Sequence, residues 1–184
     1  MGKFNVEDLV CELPAEHTFH GDICPSPQAY FRGETYLKGA KLHMGWQVLT
    51  GPLPMEETHF HHAAEEYLVF FGATLPDVFA SFDAEIDVLL GEDPDDLQKI
   101  TITKPTILRI PPNIWHCPID FRIINKPILW QAIYQDGTWA KIIRRIKEDG
   151  TKEYIYEGDN VRECRLRPGL CTMCGECFHK PEAE

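Results

Sequence analysis

The order of apolar and polar positions along this chain is that of strands. Residues 41–50 read K-L-H-M-G-W-Q-V-L-T, with Leu42, Met44, Trp46 and Val48 on one face of an extended segment, since successive strand side chains point to opposite sides. His43 and Gln47 fall on the other face, which is expected to meet solvent. Tyr67 to Phe71 is an unbroken apolar run of β-prone residues that closes at Gly72. Phe82, Ala84, Ile86 and Val88 alternate within residues 78–90. Residues 97–103, 106–110, 120–125 and 128–134 add further runs, punctuated by Pro105, Pro118 and Pro127. Many short strands at near-regular spacing, with no helical pattern between them, predict an all-β sandwich or barrel.

The flanks differ from this middle. Residues 6–11 could make a short helix capped by Asn5. Pro14, Pro25 and Pro27 then interrupt the chain, so residues 1–40 are expected to form an arm packing on the barrel of residues 41–135. Cys11 and Cys24, in that arm, read as ordinary thiols. Two β-prone runs, 139–146 and 152–157, flank Glu148-Asp149-Gly150-Thr151, and Asp-Gly between such runs predicts a hairpin over 136–160. Lys141, Arg144, Arg145 and Lys147 on it read as a solvated strand face, and the acidic stretch 91–96 as a solvated hairpin end. Residues 161–184 form a Cys-rich tail.

The 184 residues suffice for one well-buried core with appendages. A formal net charge of -11 argues against nucleic-acid or anionic-membrane partners, whose phosphates would repel the surface. No apolar run approaches the roughly 20 residues that cross a bilayer, and the acidic start Met1 to Asp8 does not read as a secretory signal. Seven cysteines, four of them crowded near the C-terminus, fit a reducing compartment and metal-bound thiolates, hence a cytoplasmic location.

The candidate chemistry lies in Thr58 to Gly72, T-H-F-H-H-A-A-E-E-Y-L-V-F-F-G. His59 and His61 are two apart and share one face of an extended strand. Glu65 can return a carboxylate to the same point across a bend, and imidazoles with a carboxylate suit a divalent transition metal. Farther on, Pro111-Pro112-Asn113-Ile114-Trp115-His116 ends a β-run with a stiff turn and one more histidine.

These stretches resemble the two motifs of the cupin superfamily. From His59 through His61 and Glu65 to Gly72 the spacing follows H-x-H-x3-E-x6-G, although seven residues separate Gly51 from His59 where the family has five. Pro111, Asn113 and His116 follow P-x-G-x2-H, with Asn113, tolerant of a left-handed turn, in place of glycine. Asp120 stands where the family has Asn. The resemblance covers residues 41–134 and implies a double-stranded β-helix, or jelly-roll, barrel. It also implies one metal bound by His59, His61, Glu65 and His116, and a dimer such as related proteins often form.

Three histidines and a glutamate leave about two positions open on an octahedral ion for water, dioxygen or a bidentate substrate, and suit iron, manganese, nickel or zinc. His62 could replace His61 as a ligand, while strand alternation turns both His62 and Glu66 away from the ion. Tyr67, with the parity of Glu65, is the candidate catalytic acid or hydrogen-bond donor.

Cys164, Cys171, Cys174 and Cys177 are spaced C-x6-C-x2-C-x2-C. The C-x2-C-x2-C part resembles the ferredoxin arrangement around a 4Fe–4S cluster, with Cys164 as fourth ligand. Zinc is the rival, and His179 offers it a further ligand. The expected function is a mononuclear metal-dependent enzyme acting on a small oxygenated metabolite, by dioxygenase, decarboxylase, lyase or isomerase chemistry. The alternative is a non-catalytic cupin that binds a small ligand or senses redox state or metal.

Overall fold

The computed structural model describes residues 6–13, 15–16, 23–24, 28–55, 59–137 and 139–158. Thirteen strands run β1 (Ala15–Glu16), β2 (Gln28–Phe31), β3 (His43–Leu49), β4 (Leu53–Met55), β5 (Phe60–His61), β6 (Glu66–Gly72), β7 (Ala84–Gly91), β8 (Gln98–Ile102), β9 (Thr106–Ile110), β10 (Trp115–Ile124), β11 (Ile128–Tyr134), β12 (Ala140–Ile146) and β13 (Lys152–Gly158). The only helical turns among the described residues are short 3₁₀ pieces at Val6–Leu9 and Gly33–Thr35. No helix among these residues is long and apolar enough to cross a membrane.

The strands form two antiparallel sheets, ordered β1-β2-β3-β11-β6-β9 and β13-β12-β5-β10-β7-β8, with β4 also paired to β10. From β3 onward the chain passes repeatedly between the sheets. The first strand of this unit, β3, therefore lies beside the last, β11, and β5 lies beside β10. That order is a jelly roll, the all-β architecture expected from the sequence. The appendages extend the same sheets. β2 adds to β3, and the hairpin β12–β13 adds to β5 through Ile142↔His61 and Ile143↔Phe60. The expected turn of that hairpin is present, with Gly150 at φ 81° and the Thr151 N–H donating to Asp149.

The core lies between the sheets. Leu68 and Phe70 from β6, Ile86 and Val88 from β7, Ile110, Phe121 and Ile128 are all but inaccessible, each side chain contributing about 1.5–3 kcal/mol by leaving water. Phe70 and Phe121 meet across the sheets with ring centroids 6.2 Å apart. Gly72 ends β6 against the next turn, where a Cβ would lie 2.7 Å from the backbone N of Phe82.

Some surface expectations are overturned. His43 is buried and, with Gln47, faces the interior. Arg144 is also buried, with its guanidinium on Asp95 and on the Pro94 carbonyl oxygen (2.9 Å), so it fastens the 91–96 turn to β12.

Candidate metal centre

Even-numbered positions of β6 face inward. Glu66 is 2% exposed, Leu68 1% and Phe70 0%, so Glu66 shares its face with the core. The register across sheet one puts His43, Tyr134 and Glu66 directly opposite one another on β3, β11 and β6. Tyr134 thereby stands beside the Glu66 carboxylate. Glu65, expected as a metal ligand, instead pairs on the other face of the strand. Its carboxylate accepts from the Tyr67 hydroxyl and pairs with the Arg109 guanidinium, and Arg109 first, then Tyr67, holds Glu65 below the usual carboxylate range.

The structure gathers His62, Glu66 and His116, all buried, with one ligand atom of each within 4.8 Å of the others. Of the expected set only His116 belongs to this group. The Nδ1 of His59 lies 2.7 Å from the Cys117 carbonyl oxygen, and the His59 carbonyl accepts from Arg144. His61 points to the opposite side of β5 and packs its ring 4.4 Å from Trp115. Tyr67 stays with Glu65 and Arg109. Parity is the reason: Phe60 and His62, leading into the bend at 62–65, and Glu66, Leu68 and Phe70 after it, are all even-numbered and face inward, so His61 and Glu65 fall on the other face.

His116 reaches the group through an irregularity in its own strand. The pairing of β10 with β7 shifts between His116 and Ile119, and such an extra residue re-aims the side chains beyond it. His116, Ile119 and Phe121 thus all turn inward despite mixed parity. The preceding turn, Pro111 to Ile114, places Asn113 at φ 64°, and its N–H donates to the His62 carbonyl oxygen at 2.8 Å.

Both imidazoles are oriented from behind. Nδ1 of His62 lies 2.7 Å from the Ala64 carbonyl oxygen and Nδ1 of His116 lies 2.9 Å from that of Ile114. A carbonyl only accepts, so each Nδ1 carries a proton and each Nε2 faces Glu66. The two Nε2 atoms are 2.9 and 3.1 Å from the same Glu66 oxygen, Oε2. In neutral rings they would aim two lone pairs at a carboxylate, so the group calls for positive charge, from ring protons or from a cation. Burial pushes the Glu66 carboxyl up, but His116 and His62 outweigh it and hold it at about 2. Donors about 2.1 Å from one ion at a right angle stand about 3 Å apart, so the spacing fits a transition metal.

Two aromatic residues border the group. Phe60 stands two positions before His62 and packs 4.4 Å, centroid to centroid, from His116. Tyr134 lies 4.9 Å from the His62 ring. Burial, and then the negative Glu66, raise its hydroxyl well above the usual range, so it stays protonated at ordinary pH. The Tyr134 register opposite Glu66 is the feature that sequence reading missed.

No family model matches the chain, and no curated protein matches it. Solved structures similar to it include a mutant of Bacillus subtilis oxalate decarboxylase (TM-score 0.49, 12% identity, covering 71% of this chain and 29% of that one). They also include recombinant oxalate oxidase in complex with glycolate (TM-score 0.46, 12% identity, covering 67% of this chain and 56% of that one). The chain therefore spans less than a third of the decarboxylase and little more than half of the oxidase. The jelly-roll assignment rests on the strand order.

Proposed function

We propose that this chain is a metal-dependent cupin enzyme acting on a small oxygenated metabolite, with iron, manganese, nickel or zinc held by His62, Glu66 and His116. The observation that carries the reading is the convergence of two Nε2 atoms on one buried carboxylate oxygen, with both Nδ1 atoms fixed by backbone carbonyls. A divalent ion there would supply Lewis acidity or, as iron, dioxygen activation, with coordination positions left for substrate. The chain's own residues set the conditions around it. Ala64 and Ile114 fix the tautomers, Phe60 screens His116 from water, and the protonated Tyr134 hydroxyl can donate to a developing oxyanion.

The reaction class remains that expected from the sequence: dioxygenase, decarboxylase, lyase or isomerase. The test is elemental analysis after loading with each ion in turn, followed by turnover assays on small hydroxy and keto acids. The proposal expects about one ion per barrel and activity that chelation abolishes. Stoichiometric metal with no turnover on any such acid would favour the non-catalytic ligand binder.

Cys164, Cys171, Cys174 and Cys177 lie outside the described residues. Their spacing supports a second centre in the same protein, an iron–sulfur cluster or zinc. Protein made without oxygen and with iron is expected to be brown; a colourless protein with one zinc per tail would decide for the rival. The homodimer rests on the family resemblance, and sedimentation tests it.

A further inference from the structure

The alternation of β3 places Met44, Trp46 and Val48 on the face opposite His43 and Gln47. Because His43 and Gln47 face the interior, this apolar stripe lies on the outside of sheet one, where its residues are partly exposed. The neighbouring strands repeat the pattern. The β3–β11 register sets Leu129 beside Val48 and Ile133 beside Met44, and the β11–β6 register sets Phe71 beside Leu129. Leu129, Ile133 and Phe71 are partly exposed as well and stand apart from the core between the sheets. On the edge strand β9, Ile107 lies opposite Val69 and is 63% exposed. Phe79, 64% exposed, extends the patch with its ring centroid 5.3 Å from that of Phe71. Sheet one is thus apolar on both faces, whereas an antiparallel sheet that packs one face on a core ordinarily turns polar residues to water on the other.

Sheet two has that ordinary arrangement. Its outer face carries Glu85 and Asp87 from β7, Lys99 and Thr101 from β8, and Arg122 from β10. Arg122 pairs with both carboxylates and Lys99 with Asp87. On the outer face of sheet one, strands β2, β3, β11, β6 and β9 place a single charged side chain, Arg109, and it is paired with Glu65. The chain has a formal net charge of -11, so two copies repel one another except where the surfaces that meet are uncharged. Five strands about 4.8 Å apart, rising about 3.3 Å per residue, give this face roughly 500 Å² in projection. With the Phe79 segment added, it approaches the roughly 800 Å² that a standard interface takes from each partner. Apolar patches of such extent mark interaction sites.

We propose that the outer face of sheet one is where a second copy of this chain docks, sheet against sheet about a two-fold axis. The second copy brings the same flat and uncharged apolar face, and two such sheets pack about 10 Å apart with their side chains interleaved. An acidic or basic partner meets no opposite charge here. The proposal gives a surface to the homodimer inferred above and rests on that dimer, but it does not depend on the ion. The strands it covers, β3, β11 and β6, carry His43, Tyr134 and Glu66 on their inner sides, so the second copy braces the sheet behind the metal centre.

The test uses Gln131. β11 is the middle one of the five strands, and Gln131 is the middle of its seven residues, on the outer face between Trp46 and Val69. A two-fold axis centred on the face brings the two Gln131 side chains together. Gln131→Glu and Gln131→Arg are compared with the wild type by sedimentation of the full-length protein. Ile123→Glu, on the outer face of sheet two, is the control. The wild type and Ile123→Glu should sediment as dimers. Each Gln131 variant alone should show a dimer dissociation constant raised at least about 100-fold, because like charges meet at the axis. An equimolar mixture of the two should restore the dimer, which misfolded chains could not do. A wild-type protein monomeric at every concentration would overturn the proposal together with the homodimer, leaving the face to another partner or to a segment of the chain itself. A dimer that persists in both Gln131 variants would overturn the surface alone. A mixture that stays monomeric, or an Ile123→Glu variant that dissociates as readily, would overturn it too. All variants should keep the wild-type metal content, since Glu66 lies on the inner side of β6, so this surface and the metal centre fail separately.

Discussion

The backbone N–H of Asn113 donates to the carbonyl oxygen of His62 at 2.8 Å. This bond joins the turn that delivers His116 to the bend that delivers His62, so the two halves of the metal centre are held by one peptide contact. It forms because Asn113 adopts φ 64°, where a residue with a Cβ is strained by roughly 1–2 kcal/mol and Asn is among the few that tolerate it.

Asn113→Gly should therefore fold and retain metal much as the wild type does. Asn113→Val should lose about 1–2 kcal/mol of stability, and should hold its ion less tightly because the turn no longer presses on His62. Melting curves paired with metal retention against a chelator would show this. Equal behaviour of the two variants would mean the turn does not position the site.

Phe60 stands where a second histidine would precede His62 at H-x-H spacing, and its ring already touches His116. Phe60→His is expected to add a donor and slow the loss of metal to a competing chelator. The gain should appear only when His62 and Glu66 are intact. A variant that binds metal no better, although folded, would place the ion away from this ring.

Asp95 joins the 91–96 turn to Lys152 and to the buried Arg144. Lys152 and then Arg144 hold its carboxyl below the usual aspartate value. A folded-state value depressed in this way stabilises the fold at neutral pH, and the contribution is lost as pH falls through the folded value. Asp95→Asn should thus lower the melting temperature at neutral pH, with the gap closing in acid. A gap that persisted at pH values where aspartate is fully protonated would show that the effect comes from packing rather than charge.

Much of this was legible in the sequence because alternation and turn chemistry are local. The runs at 106–110 and 128–134, the Asp149-Gly150 hairpin and the left-handed Asn113 all appear as read. The ligand set did not, for a nonlocal reason. Tyr67 to Phe71 is apolar at every position, so its sequence carries no parity; the pairing of β6 with β11 and β9 decides that Glu66, not Glu65, faces inward. His43 lies inside although its sequence leaves this open, because alternation shows which residues share a face but not which face is covered. Arg144 shows the same limit, since Asp95, its partner, lies 49 residues away.

The account stands most directly on which of two adjacent carboxylates binds the ion. Metal content should be measured by elemental analysis on Glu65→Gln and Glu66→Gln, with His61→Gln and His62→Gln as the matching pair, each confirmed folded by its melting curve. The account predicts that Glu65→Gln and His61→Gln keep about one ion per barrel, while Glu66→Gln and His62→Gln lose most of it. Full metal in folded Glu66→Gln, with loss in Glu65→Gln, would contradict it and restore the ligand set His59, His61, Glu65 and His116.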